Sequence, residues 1–116
     1  MKHDRLERMV KGWFVGAFNP TAHFTEVCEV AVKHYCAGER ESAHQHKVAT
    51  EVTLILTGVV RMMGRTWQDG DIITLIPGET TDFEAITDAV TVVIKTPSIT
   101  SDKFLVEGEY PLGSKA

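Results

Sequence analysis

Cysteine is scarce in this sequence. Only Cys28 and Cys36 occur among 116 residues, too few for a disulfide framework. Both read as reduced, half-buried thiols, the usual state in the cytosol. Long apolar runs are missing as well. Nothing approaches the ~18 consecutive apolar residues of a membrane-spanning helix. Basic charge is in the minority, with 12 Lys and Arg against 16 Asp and Glu and a formal net charge of −4. No basic patch stands out, so nucleic acid is not an expected partner. The start, Met1 to Arg8, is charged and has no apolar run after it. That pattern argues against a secretory signal and for a cytoplasmic protein. Helical periodicity is weak throughout, with at most one short helical turn expected in residues 1–10. Repeats, linkers and low-complexity tracts are absent.

What is present is ordinary soluble composition: 43% hydrophobic and 24% charged residues. A chain of this length makes one domain, 1–116, and buries roughly 65% of its unfolded surface, enough for one core. The pattern is of short strands separated by turn signals. From Phe24 to Tyr35 the residues alternate, with Cys28, Val30, Val32 and His34 on one face and Glu29, Lys33 and Tyr35 on the other. The apolar face is the expected interior. Val52 to Val60 is rich in branched residues. Met63-Gly64-Arg65 and Gln68-Asp69-Gly70-Asp71 are turn signals. Ile72 to Ile76 is a strand ended by Pro77-Gly78, and Phe83 to Ile86 pairs with Val90 to Lys95. Many short strands at this spacing predict an all-β sandwich or barrel. Gly12 to Phe18 is unusually aromatic; it either closes the core or packs on a second subunit. Trp13 could line a pocket mouth. Residues 111–116 form a loose tail.

Chemistry concentrates between Gly38 and Gly58. His44 and His46 are two apart, which puts both imidazoles on one face of a strand. Glu51 lies five beyond His46, an odd offset that a continuous strand would send to the opposite face. Convergence therefore requires the chain to turn at Lys47 to Thr50. Two imidazoles and a carboxylate suit a divalent first-row transition metal: iron, manganese, nickel or zinc. Three protein ligands leave coordination positions open for water or substrate.

The full spacing is Gly38, five residues, His44, one, His46, four, Glu51, six, Gly58. It resembles the first motif of the cupin superfamily at every defined position, over 38–58. Gly70-Asp71, an apolar strand and Pro77-Gly78 resemble the start of the second, over 70–83. The likeness covers about Phe24 to Pro97, with looser extensions at each end, and the gap between motifs is short, as in compact bacterial and phage cupins. It implies an antiparallel double-sheet jelly-roll barrel, often a homodimer, with a metal inside its mouth. By motif match His44, His46 and Glu51 take three of four ligand positions. The fourth is normally a histidine about three residues after the second motif's Pro-Gly. Here Thr81 stands there, with Asp82 beside it, a departure from the family pattern. Asp82 has suitable chemistry but the wrong strand parity. His34, Tyr35 and Thr53 are further candidates for the pocket, and His34 could be a fourth ligand or orient another imidazole. Water is the simplest completion.

The remaining residues have blander expectations. His3 and His23 are surface residues. Glu26, Glu29, Glu79 and Glu84 are solvated strand-edge charges. Met62 and Met63 pack in the core or rim, and Trp67 packs on a sheet face. In the strand from Glu51 to Thr57, Val52, Leu54 and Leu56 form an apolar outward face that needs cover, which also predicts a homodimer. Two functions compete. One is a metal-dependent enzyme acting on a small polar molecule by oxygenation, isomerisation or lyase chemistry. The other is a non-catalytic sugar- or metabolite-binding module, which the missing histidine favours.

Overall fold

The computed structural model describes residues 1–99 and the backbone of the strand Lys103–Leu105. The expected tail, 111–116, lies outside the described residues. After a short 3-10 turn at Leu6–Arg8 come ten strands. They are β1 (Trp13–Val15), β2 (Glu29–Tyr35), β3 (Arg40–His46), β4 (Thr50–Thr57), β5 (Val59–Met62), β6 (Arg65–Gln68), β7 (Ile72–Leu75), β8 (Thr80–Ala85), β9 (Ala89–Thr96) and β10 (Lys103–Leu105). Every named pairing is antiparallel, in two five-stranded sheets ordered β1-β2-β9-β4-β7 and β10-β3-β8-β5-β6. The fold is the all-β double-sheet jelly roll expected from the sequence.

Turn chemistry sets the register. Met63 and Gly64 both have positive φ, 54° and 72°, as a tight two-residue hairpin requires, and they bring Met62 opposite Arg65. Gly58, which closes the first motif, has φ 100°. A Cβ there would run into the Asp88 carbonyl, so only glycine fits. At the Gln68–Asp71 turn the Asp71 carboxylate accepts the Gln68 N–H at 2.8 Å.

An apolar cluster of Ile55, Val60, Met62, Ile73, Leu75, Phe83, Ala85 and Ala89 fills part of the space between the sheets, with Tyr35 and Trp67 packed against it. Met62 is buried there, whereas Met63 is exposed. His3 and His23 are on the surface as expected. Among the described residues no helix is long and apolar enough to cross a membrane.

Two expectations are corrected in β2. The strand starts at Glu29, not Phe24. Its inward residues are Glu29, Ala31, Lys33 and Tyr35, while Val30, Val32 and His34 face out. The cause lies in the neighbouring strand. Glu29 stands opposite Lys95 of β9, and their charges pair inside the barrel at 3.3 Å. Glu29 is therefore no solvated edge charge; it is 1% exposed. Period-2 patterning found the alternation, but the rule that apolar residues point inward gave it the wrong sign.

Candidate functional site

β3 belongs to one sheet and β4 to the other. The chain crosses between them at residues 47–49, with Ala49 buried at the corner. This crossing resolves the odd offset. β3 sends His44 and His46 inward, and β4, entered from the other sheet, sends Glu51 inward to meet them. One ligand atom from each of the three lies within 4.8 Å of the others. His46 Nε2 is 3.2 Å from Glu51 Oε1, and the two imidazole rings stand 5.6 Å apart, edge to face. His44 Nδ1 is 2.9 Å from the Ser42 carbonyl. A carbonyl only accepts, so this contact places the His44 proton on Nδ1 and leaves Nε2 as its lone-pair nitrogen. Burial pushes the Glu51 carboxyl up, but the His46 hydrogen bond and charge, with Lys95 and His44, outweigh it and hold it below its ordinary value. A buried anion beside two imidazoles is the donor set a divalent cation needs.

Around this cluster the two sheets enclose a cavity of about 30 Å³, room for roughly two waters. Tyr35, Thr53 and Thr81 line it, as the sequence suggested. Thr81 sits opposite His44 in the β3–β8 ladder, and its hydroxyl donates to the Asp82 carbonyl at 2.7 Å. Asp82 is at the rim, exposed, its carboxylate accepting the Met63 N–H at 3.2 Å. His34 is not in the cavity. It is exposed on the outer face of β2, in a surface groove with Leu6, Val32 and Arg40. It is neither a fourth ligand nor a partner of one, because β2 presents Lys33 and Tyr35 inward instead.

Sequence reasoning missed the charged network beside the histidines. Glu41 of β3 accepts the Tyr35 hydroxyl at 3.1 Å and lies 3.6 Å from the Lys33 ammonium. Burial above all lowers the Lys33 pKa and raises that of Tyr35. Glu41's charge opposes the first shift and reinforces the second. Glu29 is held by Lys95 on one oxygen and by the Ser98 hydroxyl, 2.8 Å away, on the other. Ser98 in turn accepts the Ala17 N–H at 2.9 Å. Both ammonium groups lie over the Trp13 ring, Lys95 at 4.7 Å and Lys33 at 5.3 Å from its centroid. Trp13 is buried and pairs with Ala31 of its own chain. Of its two expected roles, it therefore closes the interior and also lines the cavity. The available signal was parity: Lys33 shares a face with Tyr35, and Lys95 with Thr91 and Val93.

No protein-family model matches the sequence, and no curated protein matches it. Solved structures do. DMSP lyase DddQ from Ruegeria pomeroyi superposes with a TM-score of 0.67 at 20% identity, over 87% of this chain and 51% of that one. An uncharacterised protein with a double-stranded β-helix domain from Klebsiella pneumoniae gives 0.60 at 20%, over 64% and 66%. KdgF from a Halomonas species gives 0.59 at 18%, over 65% and 74%. The match thus spans about half to three quarters of these chains' own lengths. Further neighbours include an RmlC-like cupin from Shewanella frigidimarina and oxalate decarboxylase from Bacillus subtilis. With the motif spacing, the two-sheet topology and these neighbours together, the chain has the double-stranded β-helix fold of the small cupins.

Proposed function

We propose that this cupin holds a divalent first-row transition metal (iron, manganese, nickel or zinc) through His44, His46 and Glu51, and acts on a small polar metabolite beside it. The observation that carries the reading is the convergence of those three side chains, from two different sheets, in a buried cavity. The same reading takes residues 1–116 as one functional unit. A bound metal supplies Lewis acidity for polarising a substrate oxygen. The chain's own residues bind and orient. Ser42 fixes the His44 tautomer, Glu51 contributes the negative charge, and the small cavity excludes bulk water. Neighbours of this fold include a lyase, a sugar phosphate isomerase and a decarboxylase. The shared barrel does not choose among those reactions.

The test is metal analysis of protein purified without chelator. Near-stoichiometric metal that is lost in His44→Ala supports the reading; a site that stays empty when metal is added sinks it. Thr81, standing where the motif places a histidine, favours a second reading, a metabolite-binding module without tightly held metal. That reading is supported if a ligand trapped in the cavity survives removal of metal by chelation.

The assembly we propose is a homodimer. On the outer face of the β2-β9-β4-β7 sheet, Val32, Val92, Leu54 and Ile72 form one cross-strand row, and Val30, Ile94 and Val52 form the next. Ile72 is 64% exposed. These rows carry no charge, so two copies can pair about a two-fold axis without burying an unpaired ion. Sedimentation velocity at micromolar concentration should show a dimer that Leu54→Lys dissociates; a monomeric parent protein overturns the proposal.

A further inference from the structure

We infer that the wall facing the histidines is a carboxylate-recognition subsite, so that the ligand of the proposed metal site is a small organic anion. The inference rests on the metal reading for its location but on separate residues for its chemistry. Two hydrogen-bond donors in that wall are buried and lack a hydrogen-bond partner among the described residues: the Trp13 indole Nε1 and the Thr91 hydroxyl. Their residues are 2% and 1% exposed, and both line the cavity. An indole N–H can only donate. Leaving it and a hydroxyl unmet costs free energy, which a ligand's acceptor oxygens would recover.

The surroundings favour a negative acceptor. The ammonium groups of Lys33 and Lys95 flank the Trp13 ring, and Thr91 stands opposite Lys33 in the β2–β9 ladder. Four donors are thus collected on the sheet that faces the histidines, which also carries Glu51 opposite Lys95 in the β4–β9 ladder. Charge points the same way. Glu29, Glu41 and Glu51 exceed Lys33 and Lys95 by one negative charge. A divalent cation reverses that to one positive charge, which a monoanion neutralises. Size sets the scale. About 30 Å³ admits a carboxylate group with little attached, or the carboxylate end of a longer molecule reaching in from the mouth.

The test uses zinc-loaded, ¹⁵N-labelled protein with acetate as the probe and acetamide as its neutral isostere. The chain has two tryptophans. The Trp67 indole already donates to the Met62 carbonyl at 3.0 Å, so it serves as an internal control, and Trp13→Phe assigns the other signal. Acetate should shift the Trp13 indole resonance saturably while Trp67 stays still and acetamide has no effect. Thr91→Val and Lys33→Met should each weaken acetate about tenfold with zinc stoichiometry unchanged. A Trp13 resonance that ignores acetate, an equal response to acetamide, or variants that bind acetate like the parent would overturn the inference. The same titration on metal-free protein separates the two proposals. If zinc never binds but acetate still shifts Trp13 at higher concentration, the metal reading falls and the anion subsite stands. If zinc binds and acetate does nothing, the reverse holds.

Discussion

Around Ile55 and Phe83 the interior is apolar and close-packed; around His46 and Lys95 it is charged, and each charge depends on a partner. β4 contributes to both regions, with Ile55 in the first and Glu51 in the second. The first region gains stability from burial, at roughly 25 cal/mol per Å² of apolar surface. The second loses water around five ionic side chains, a cost that ion pairs and hydrogen bonds roughly offset. The difference teaches that the barrel is held by one part of its interior and places its candidate site in another, so substitutions in the two should fail differently.

The largest effect should come from the apolar side. Phe83→Ala should lose about 4 kcal/mol by transfer and cavity terms. Denaturant unfolding would show the loss equally with and without metal; a metal-dependent loss would break the comparison. Next comes the buried pair. Lys95→Met strands the Glu29 carboxylate and should cost about 3 kcal/mol, whereas adding Glu29→Gln should recover much of it in a double-mutant cycle. If the two losses simply add, the pair is not an interacting unit.

Metal should contribute about 2.7 kcal/mol at a free concentration a hundred times its Kd. Glu51→Gln should abolish that gain while leaving the metal-free protein nearly as stable as the parent. Thr81→His sharpens the same contrast. It places an imidazole opposite His44 and should tighten metal binding about tenfold, worth about 1.4 kcal/mol, as read by competition with a chelator. The smallest effect is the acid dependence of the metal-free protein. Glu51's pKa is depressed on folding, so its stabilising contribution is present above its ordinary value near 4.5. That contribution is lost as pH falls through the lower folded value. Glu51→Gln should flatten this part of the stability curve, and an unchanged curve would assign the acid sensitivity elsewhere.

The two regions also differed in how readable they were. The turns at Met63-Gly64 and Gln68 to Asp71 and the strands of the apolar cluster followed from alternation and turn chemistry, but not all of their pairing: Phe83 to Ile86 and Val90 to Lys95, expected to pair, fall in opposite sheets. The meeting of His44, His46 and Glu51 came instead from the resemblance to a motif of fixed spacing; alternation alone sends Glu51 to the opposite face and shows only that the chain must turn at Lys47 to Thr50 for the three to meet. The opposite wall followed from neither. Glu29, Lys33 and Lys95 are far apart in sequence and only the β2–β9 register unites them. Taken singly, each looks like a solvated charge. His34 was placed inside for the complementary reason. Its strand-mates Val30 and Val32 are apolar, and nothing in β2 alone reveals that the apolar face is the outer one.

The corner between β3 and β4 has a consequence for how the chain folds. His44 and Glu51 end on different sheets, yet only six residues separate them. Closing so short a loop costs little chain entropy, and contacts of low sequence separation form early. If the proposed cation binds, this corner would grip it before the distant β2–β9–β4 ladder has assembled. The unfolded chain would then keep some affinity for the ion, which would trim the stability conferred on the finished barrel. In exchange, the ion would hold the bend between the two sheets, and each sheet could grow outward from its own side of it.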